Sequence, residues 1–233
     1  MRNGCIDLGG VDAAFNVAGI SGRRFGDGPA HECTDDGWAI TLDTNARGIF
    51  YCCRAILRRM LDQPVGADGL RGSILNMASV LGFSPEPRHF GTHAYAASKG
   101  AIIAMTRAMA ATYAPQRIRV NVIAPGLVRT PMTERWLNDP EISDRVLADS
   151  PIRRAAEPEE IADLVMFLAS DQAGVITGAV YPIDGARTTH WLPRAGSTAT
   201  GFLELGITKS CGYFTCQAGR RPSSNCPSRD VKE

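Results

Sequence analysis

The stretch Tyr95-Ala-Ala-Ser-Lys99-Gly-Ala-Ile-Ile-Ala-Met105 sets a tyrosine and a lysine four residues apart at the head of an apolar run. In a helix the two side chains share one face, with Cβ atoms roughly 5–6 Å apart. A free tyrosine, with a pKa of about 10, is a poor acid or base at neutral pH, but a neighbouring ammonium stabilises the phenolate and lowers that value. Such a pair is a proton donor and acceptor near physiological pH. Taken alone, the same spacing is also an ordinary amphipathic helix start, so the flanking elements have to discriminate.

Immediately upstream, Ser73-Ile-Leu-Asn-Met-Ala78 reads as a buried strand ending at Ser79, and a loop rich in proline and histidine, residues 82–93, leads into Tyr95. Downstream, the strand Ile118-Arg-Val-Asn-Val-Ile123 ends at Ala124-Pro125-Gly126, followed by a loop with Thr130-Pro131-Met132. Further out, residues 11–17 form a strand closed by Ala18-Gly19, and Thr34-Asp35-Asp36 starts a long helix that continues to Pro64 with Asn45 inside it. Interior asparagine costs a few tenths of a kcal/mol against alanine, which assigns Asn45 a side-chain or backbone task. The charged segment 133–149, bounded by Pro131 and Pro151, reads as a lid over a site or as a plain surface helix. Glu157-Pro158-Glu159-Glu160 starts another helix, and a last strand, Ala179 to Ile183, ends at Asp184-Gly185.

Strands alternating with helices predict an α/β fold with a parallel sheet, in which all strands end along one rim. Asn16, Ser79 and the Pro125-Gly126 turn fall on that rim, and the helix of Tyr95 starts beside it. Polar strand ends on both sides favour the chemical reading of Tyr95 and Lys99.

Composition narrows the classes. With 25 Lys and Arg against 24 Asp and Glu, the net charge of +1 offers no electrostatic case for nucleic acid or an anionic membrane, and leaves small neutral substrates open. No apolar run reaches the roughly 18–20 residues of a membrane span, and residues 1–10 lack a signal-peptide pattern, so a cytoplasmic protein is expected. Seven cysteines show no Cys-x-x-Cys and no zinc-like histidine spacing; reduced thiols and no metal are expected, with Cys52 and Cys53 as small buried side chains. His89, Phe90 and His93 lie where they can face a pocket, although a structural or solvent-exposed role is the expectation for each histidine. Residues 190–233, rich in Gly, Ser, Thr, Pro and Arg, predict a disordered or loosely attached tail.

From about Val11 to Asp184 the chain resembles the short-chain dehydrogenase/reductase family. The marks are Asn16-Val17-Ala18-Gly19, Asn45, Asn76-Met77-Ala78-Ser79, Tyr95-x-x-x-Lys99, Asn121-Val-Ile-Ala-Pro-Gly126, and Ile176-Thr177-Gly178 leading to Asp184-Gly185. The resemblance implies a Rossmann-like three-layer fold and NAD- or NADP-dependent interconversion of a carbonyl and a secondary alcohol. It further implies a catalytic set of Asn45, Ser79, Tyr95 and Lys99. Asn16, Ala18, Gly19, Tyr95, Lys99, Pro125, Gly126, Val128 and Thr130 would lie against the cofactor, and a homo-oligomer would form through the helices around Asn45 and from Tyr95 to Tyr113.

Two departures from the family follow. Its glycine-rich turn, whose amides hold the pyrophosphate, has no counterpart here, so the sheet is expected to be incomplete at the N-terminus and the NAD or NADP preference is unreadable. After Asp184-Gly185-Ala186 the chain departs again, giving a domain over 1–188 and an atypical tail over 189–233, as in an incomplete or mis-spliced product. The alternative expectation is therefore a non-catalytic fragment that pairs with a full-length relative.

Overall fold

The computed structural model describes residues 10–189 and the backbone of 205–210 and 213–218. Four parallel strands lie in the order β1 (Ala13–Asn16), β2 (Gly72–Met77), β3 (Ile118–Pro125) and β4 (Val180–Ile183). The register pairs Phe15 with Leu75, Leu75 with Asn121, and Ile123 with Tyr181, so the strands all end at one rim as expected.

Because successive strand residues point to opposite faces, β2 and β3 feed two cores. Ile74, Val120 and Val122 meet Ile49, Cys53, Leu57 and Ile102 on one face, while Leu75 and Ile123 meet Ile161 and Leu168 on the other. The first face is covered by α2 (Gly48–Asp62) and α3 (His93–Tyr113), the second by α6 (Pro158–Ala169), which makes the three layers of a Rossmann-like fold. Burial of one such aliphatic side chain contributes on the order of 1.5–3 kcal/mol. In α3 the buried positions Ala94, Ser98, Ile102, Thr106 and Ala110 recur every fourth residue. Their small and β-branched side chains let the helix lie close to the sheet.

The long helix expected from Thr34 is three pieces. Thr34 caps α1 (Asp35–Leu42), its hydroxyl accepting the Gly37 amide at 2.9 Å. A π turn, Asp43–Arg47, then widens the helix around Asn45 before α2 begins. Of the two cysteines expected inside, Cys53 is buried and Cys52 exposed, since consecutive helical residues point about 100° apart and only one faces the core. Burial pushes the Cys53 thiol up to about 11. Cys33, Cys52 and Cys53 are free thiols.

The segment read as a charged lid holds two short helices, α4 (Glu134–Leu137) and α5 (Pro140–Ala148). Asp139 caps α5 through the Glu141 and Ile142 amides. In α6, whose start at Glu157-Pro158-Glu159-Glu160 was expected, the Glu160 carboxylate accepts the Glu157 amide at 2.9 Å. Asn121 ties β3 to the approach of β4, donating to the Ile176 carbonyl and accepting from the Ala179 amide.

Among the described residues, β1 has a neighbouring strand on one side only. Residues 191–233 make up a separate unit. Within it, where composition predicts a disordered or loosely attached tail, β5 (Leu205–Ser210) and β6 (Tyr213–Ala218) pair antiparallel; residues 190–204, 211–212 and 219–233 of that tail lie outside the described residues. No helix among the described residues is long and apolar enough to cross a membrane.

Candidate active site

Tyr95 stands in the first turn of α3 at the floor of a pocket of about 180 Å³. Ser79, at the end of β2, and Gly126 and Leu127, past β3, share that floor. The walls are mainly apolar: Phe90, Met132, Trp136, Val146 and Ile152, with Phe90 and Trp136 edge to face at 4.9 Å. Phe90 thus faces the pocket as expected. The His93 Nδ1 accepts the Ala30 amide at 3.0 Å, a structural role.

Lys99 lies one turn along from Tyr95, its Nζ 5.5 Å from the centre of the tyrosine ring. The ammonium is almost wholly buried and donates to the Met77 carbonyl at 3.1 Å. Burial draws its pKa down to about 8. For Tyr95 the expectation of a lowered pKa is corrected: burial raises the phenol above its ordinary value, and the Ser79 hydrogen bond only partly opposes this.

Behind the pair the π turn delivers Asn45 into the interior, fully buried. Its side-chain oxygen accepts the Ile20 amide at 2.8 Å, and its side-chain nitrogen donates to the Ile20 carbonyl and to the Ser98 hydroxyl, both at 3.0 Å. Ser98 in turn donates to the Tyr95 carbonyl at 2.7 Å. Asn45 therefore fastens the chain after β1 to the helix that carries Tyr95, which is the task its helical position implied. Ser98 was absent from the sequence reading; its place three residues after Tyr95, on the buried stripe of α3, was the available signal.

The residues expected against a dinucleotide divide. A Cβ on Gly19 would lie 3.1 Å from the Asn45 Oδ1 and 3.4 Å from Lys99 Nζ, so glycine keeps open the space beside both. A lysine ammonium carries three donors, and Lys99 spends one on Met77. A buried ammonium facing this opening fits the hydroxyls of a ribose. Ala18 is exposed on the rim. The Asn16 side chain turns inward instead, donating to the Asn76 Oδ1 at 2.9 Å and to the Cys53 Sγ at 3.4 Å, while Asn76 donates to Thr106. Pro125 is buried in β3, the Gly126 amide donates to the Ile183 carbonyl, and the Val128 carbonyl accepts the Thr133 hydroxyl. The Thr130 amide and hydroxyl both meet the Thr133 hydroxyl.

No metal site was expected from sequence spacing. Among the described residues the fold does bring Glu86, His89 and Asp149 together, with ligand atoms within 4.8 Å of one another. Glu86 already spends its carboxylate on the Arg88 and His89 amides, at 3.0 and 2.8 Å.

The profile described as enoyl-(acyl carrier protein) reductase matches residues 6–187. The 2-(R)-hydroxypropyl-CoM dehydrogenase of Xanthobacter autotrophicus is 39% identical over 181 residues, covering 78% of this chain and 68% of that protein. An inactive 2-(S)-hydroxypropyl-CoM dehydrogenase 2 of the same organism is also 39% identical, over 78% of this chain and 75% of its own length. Among solved structures, a 4-hydroxyisoleucine dehydrogenase mutant complexed with NADH and succinate superposes with a TM-score of 0.69 at 30% identity, over 80% of this chain and 72% of that one. Similarity at this level embraces a relative named as inactive, so it defines ancestry and leaves the chemistry to the site. On the match over residues 6–187 and these relatives, the chain belongs to the short-chain dehydrogenase/reductase family of oxidoreductases.

Proposed function

We propose that this protein interconverts a carbonyl and a secondary alcohol with NAD or NADP as redox partner, using Tyr95 as the acid and base. The observation that carries this reading is the joint placement of Tyr95 and Ser79 on an apolar pocket, with the Lys99 Nζ buried 5.5 Å from the tyrosine ring centre. The bound nicotinamide supplies or accepts the hydride at the substrate carbon.

In the direction of reduction, the Ser79 hydroxyl donates to the carbonyl oxygen, and the Tyr95 hydroxyl, beside it, delivers the proton as negative charge develops there. Burial raises the Tyr95 phenol above its ordinary value, opposed in part by the Ser79 hydrogen bond. The Lys99 ammonium, 5.5 Å from the ring centre, stabilises the phenolate left behind. Its unspent donors would hold the ribose of a bound cofactor. Asn45 and Ser98 hold the backbone at Ile20 and Tyr95, and the water relay that the family resemblance implies for Asn45 is part of this proposal. Ala18, Gly19, Pro125, Gly126, Val128 and Thr130 shape the cofactor side, with the Asn16 side chain acting from behind the strand.

The walls of Phe90, Met132, Trp136, Val146 and Ile152 favour a small substrate with an apolar body, held in the cytoplasm. A homo-oligomer is proposed through α2 and α3. Titration of NADH and NADPH by fluorescence, followed by a panel of carbonyls, tests the reading. Saturable binding with nucleotide consumption supports it, and no binding up to millimolar nucleotide from a folded sample would falsify it.

A second reading has one observation in its favour. Phe15, on the strand with one described neighbour, and Val17, just past its end, are 38% and 56% exposed. A non-catalytic chain that pairs with a full-length relative along β1 would cover them. Co-purification with such a relative, without nucleotide turnover, is its signature.

A further inference from the structure

We propose that Asp27 is a positioning residue for Tyr95, acting as the external N-cap of α3. The inference rests on the acid/base reading of Tyr95 given above.

The first amides of a helix have no partner within it and must find one elsewhere. In α3 the local candidate, Thr92, makes no side-chain cap bond. The amides are met by a loop more than sixty residues away in sequence. The Ala94 amide donates to one carboxylate oxygen of Asp27 at 3.0 Å, and the Tyr95 amide donates to the other at 2.9 Å. The preceding amide, of His93, donates to the Gly28 carbonyl at 3.0 Å. One short segment thus holds three consecutive amides, the last of them belonging to Tyr95.

Asp27 is 5% exposed, and among the described residues no cation forms an ion pair with it. Its charge is balanced by these amides and by the positive end of the α3 dipole. A buried carboxylate that accepts two amides in a fixed fork, with the Cys33 thiol donating to the same oxygen as Ala94 at 4.0 Å, admits little displacement of either amide.

The segment is itself held in place. A Cβ on Gly37 would lie 2.4 Å from the Gly26 carbonyl carbon and 2.6 Å from the Asp27 nitrogen, so only glycine lets the start of α1 rest on this backbone. The Thr34 amide donates to the Gly26 carbonyl at 3.0 Å. Upstream on the same loop, Ile20 is clamped by Asn45. Tyr95 is consequently gripped from both sides of its peptide unit, by Asp27 at the amide and by Ser98 at the carbonyl. A misplacement of about 1 Å costs on the order of 100-fold in rate, so this grip bears on turnover.

The test compares Asp27→Ala and Asp27→Asn with the unaltered protein in nucleotide affinity, turnover and amide hydrogen exchange. Asp27→Ala is expected to leave nucleotide affinity within about twofold, lower kcat roughly 10- to 100-fold with KM little changed, and release exchange protection at Ala94 and Tyr95 ahead of the rest of α3. Asp27→Asn keeps one acceptor oxygen and recovers part of both losses; if Asp27→Ala does not fold, the same measurements on Asp27→Asn decide. Unchanged kcat, or unchanged protection at these two amides, in a folded variant overturns the proposal. Should the unaltered protein turn over no carbonyl, the acid/base reading has failed, and the exchange measurement still tests the cap.

Discussion

Along the rim where the strands end, the surroundings of α3 and those of β1 are built differently. Around α3, Asn45, Ser98 and Lys99 are buried and bonded to one another or to backbone, and all eight residues of β3 behind them are buried. Around β1, Ala13, Phe15, Val17 and Ala18 are exposed, and the polar side chain of Asn16 turns into the core. The contrast separates two functions. The residues proposed for acid/base work are held by buried hydrogen bonds within the protein, whereas the residues after β1 proposed to face a dinucleotide are exposed or half-buried.

The sharpest attack on this contrast removes the one hydroxyl on which the chemistry depends. Tyr95→Phe is expected to lower turnover roughly 1000-fold, in the range of a lost general acid, while nucleotide affinity stays within about twofold. Equal loss of both would mean that the two sides of the rim are not separable. Next in size is Asn45→Ala, which strands the amide and carbonyl of Ile20. Each unsatisfied buried group costs roughly 1–3 kcal/mol, so urea unfolding should show a loss of about 2–4 kcal/mol. A change below about 0.5 kcal/mol would show that the clamp holds nothing.

How much of this was legible differs between the two regions for physical reasons. The strands, the α3 stripe and the placing of Ser79 and Tyr95 on one rim follow from periodicity and topology, which are local properties of the chain. The interior task of Asn45 was readable because asparagine is a weak helix former, but the π turn that delivers it was not, since its widened hydrogen bonding leaves no pattern in residue type. Asp27 was illegible because its partners, Ala94 and Tyr95, are 67 and 68 residues away. The phenol of Tyr95 was misread in sign because spacing reveals a neighbouring charge but not the depth of burial that outweighs it.

Lys99 gives a smaller and signed effect. Its folded pKa of about 8 lies below the ordinary 10.5, so between these values the unfolded chain binds more protons and stability rises with pH. The nucleotide-free protein should gain about 1 kcal/mol from Lys99 between pH 8 and 9, measured by denaturant unfolding, offset in part by the raised Cys53 thiol, which acts in the opposite sense. Lys99→Met should abolish that rise. A rise that persists in the variant would place its source elsewhere.

The smallest expected change tests the open side. Val17→Lys, at a position 56% exposed, should alter stability by no more than about 0.5 kcal/mol while weakening pairing with a full-length relative along β1, measured by co-sedimentation. A large destabilisation would show that this edge is covered in the folded protein.

The central claim is that hydride and proton reach one carbonyl, the proton from Tyr95. Reduction with nucleotide deuterated at the transferable position, followed by mass analysis of the alcohol, tests it most directly. The account predicts a product one mass unit heavier, with the label on the carbinol carbon, and no such product from Tyr95→Phe over the same time. An unlabelled alcohol, or equal labelling by the variant, would contradict it.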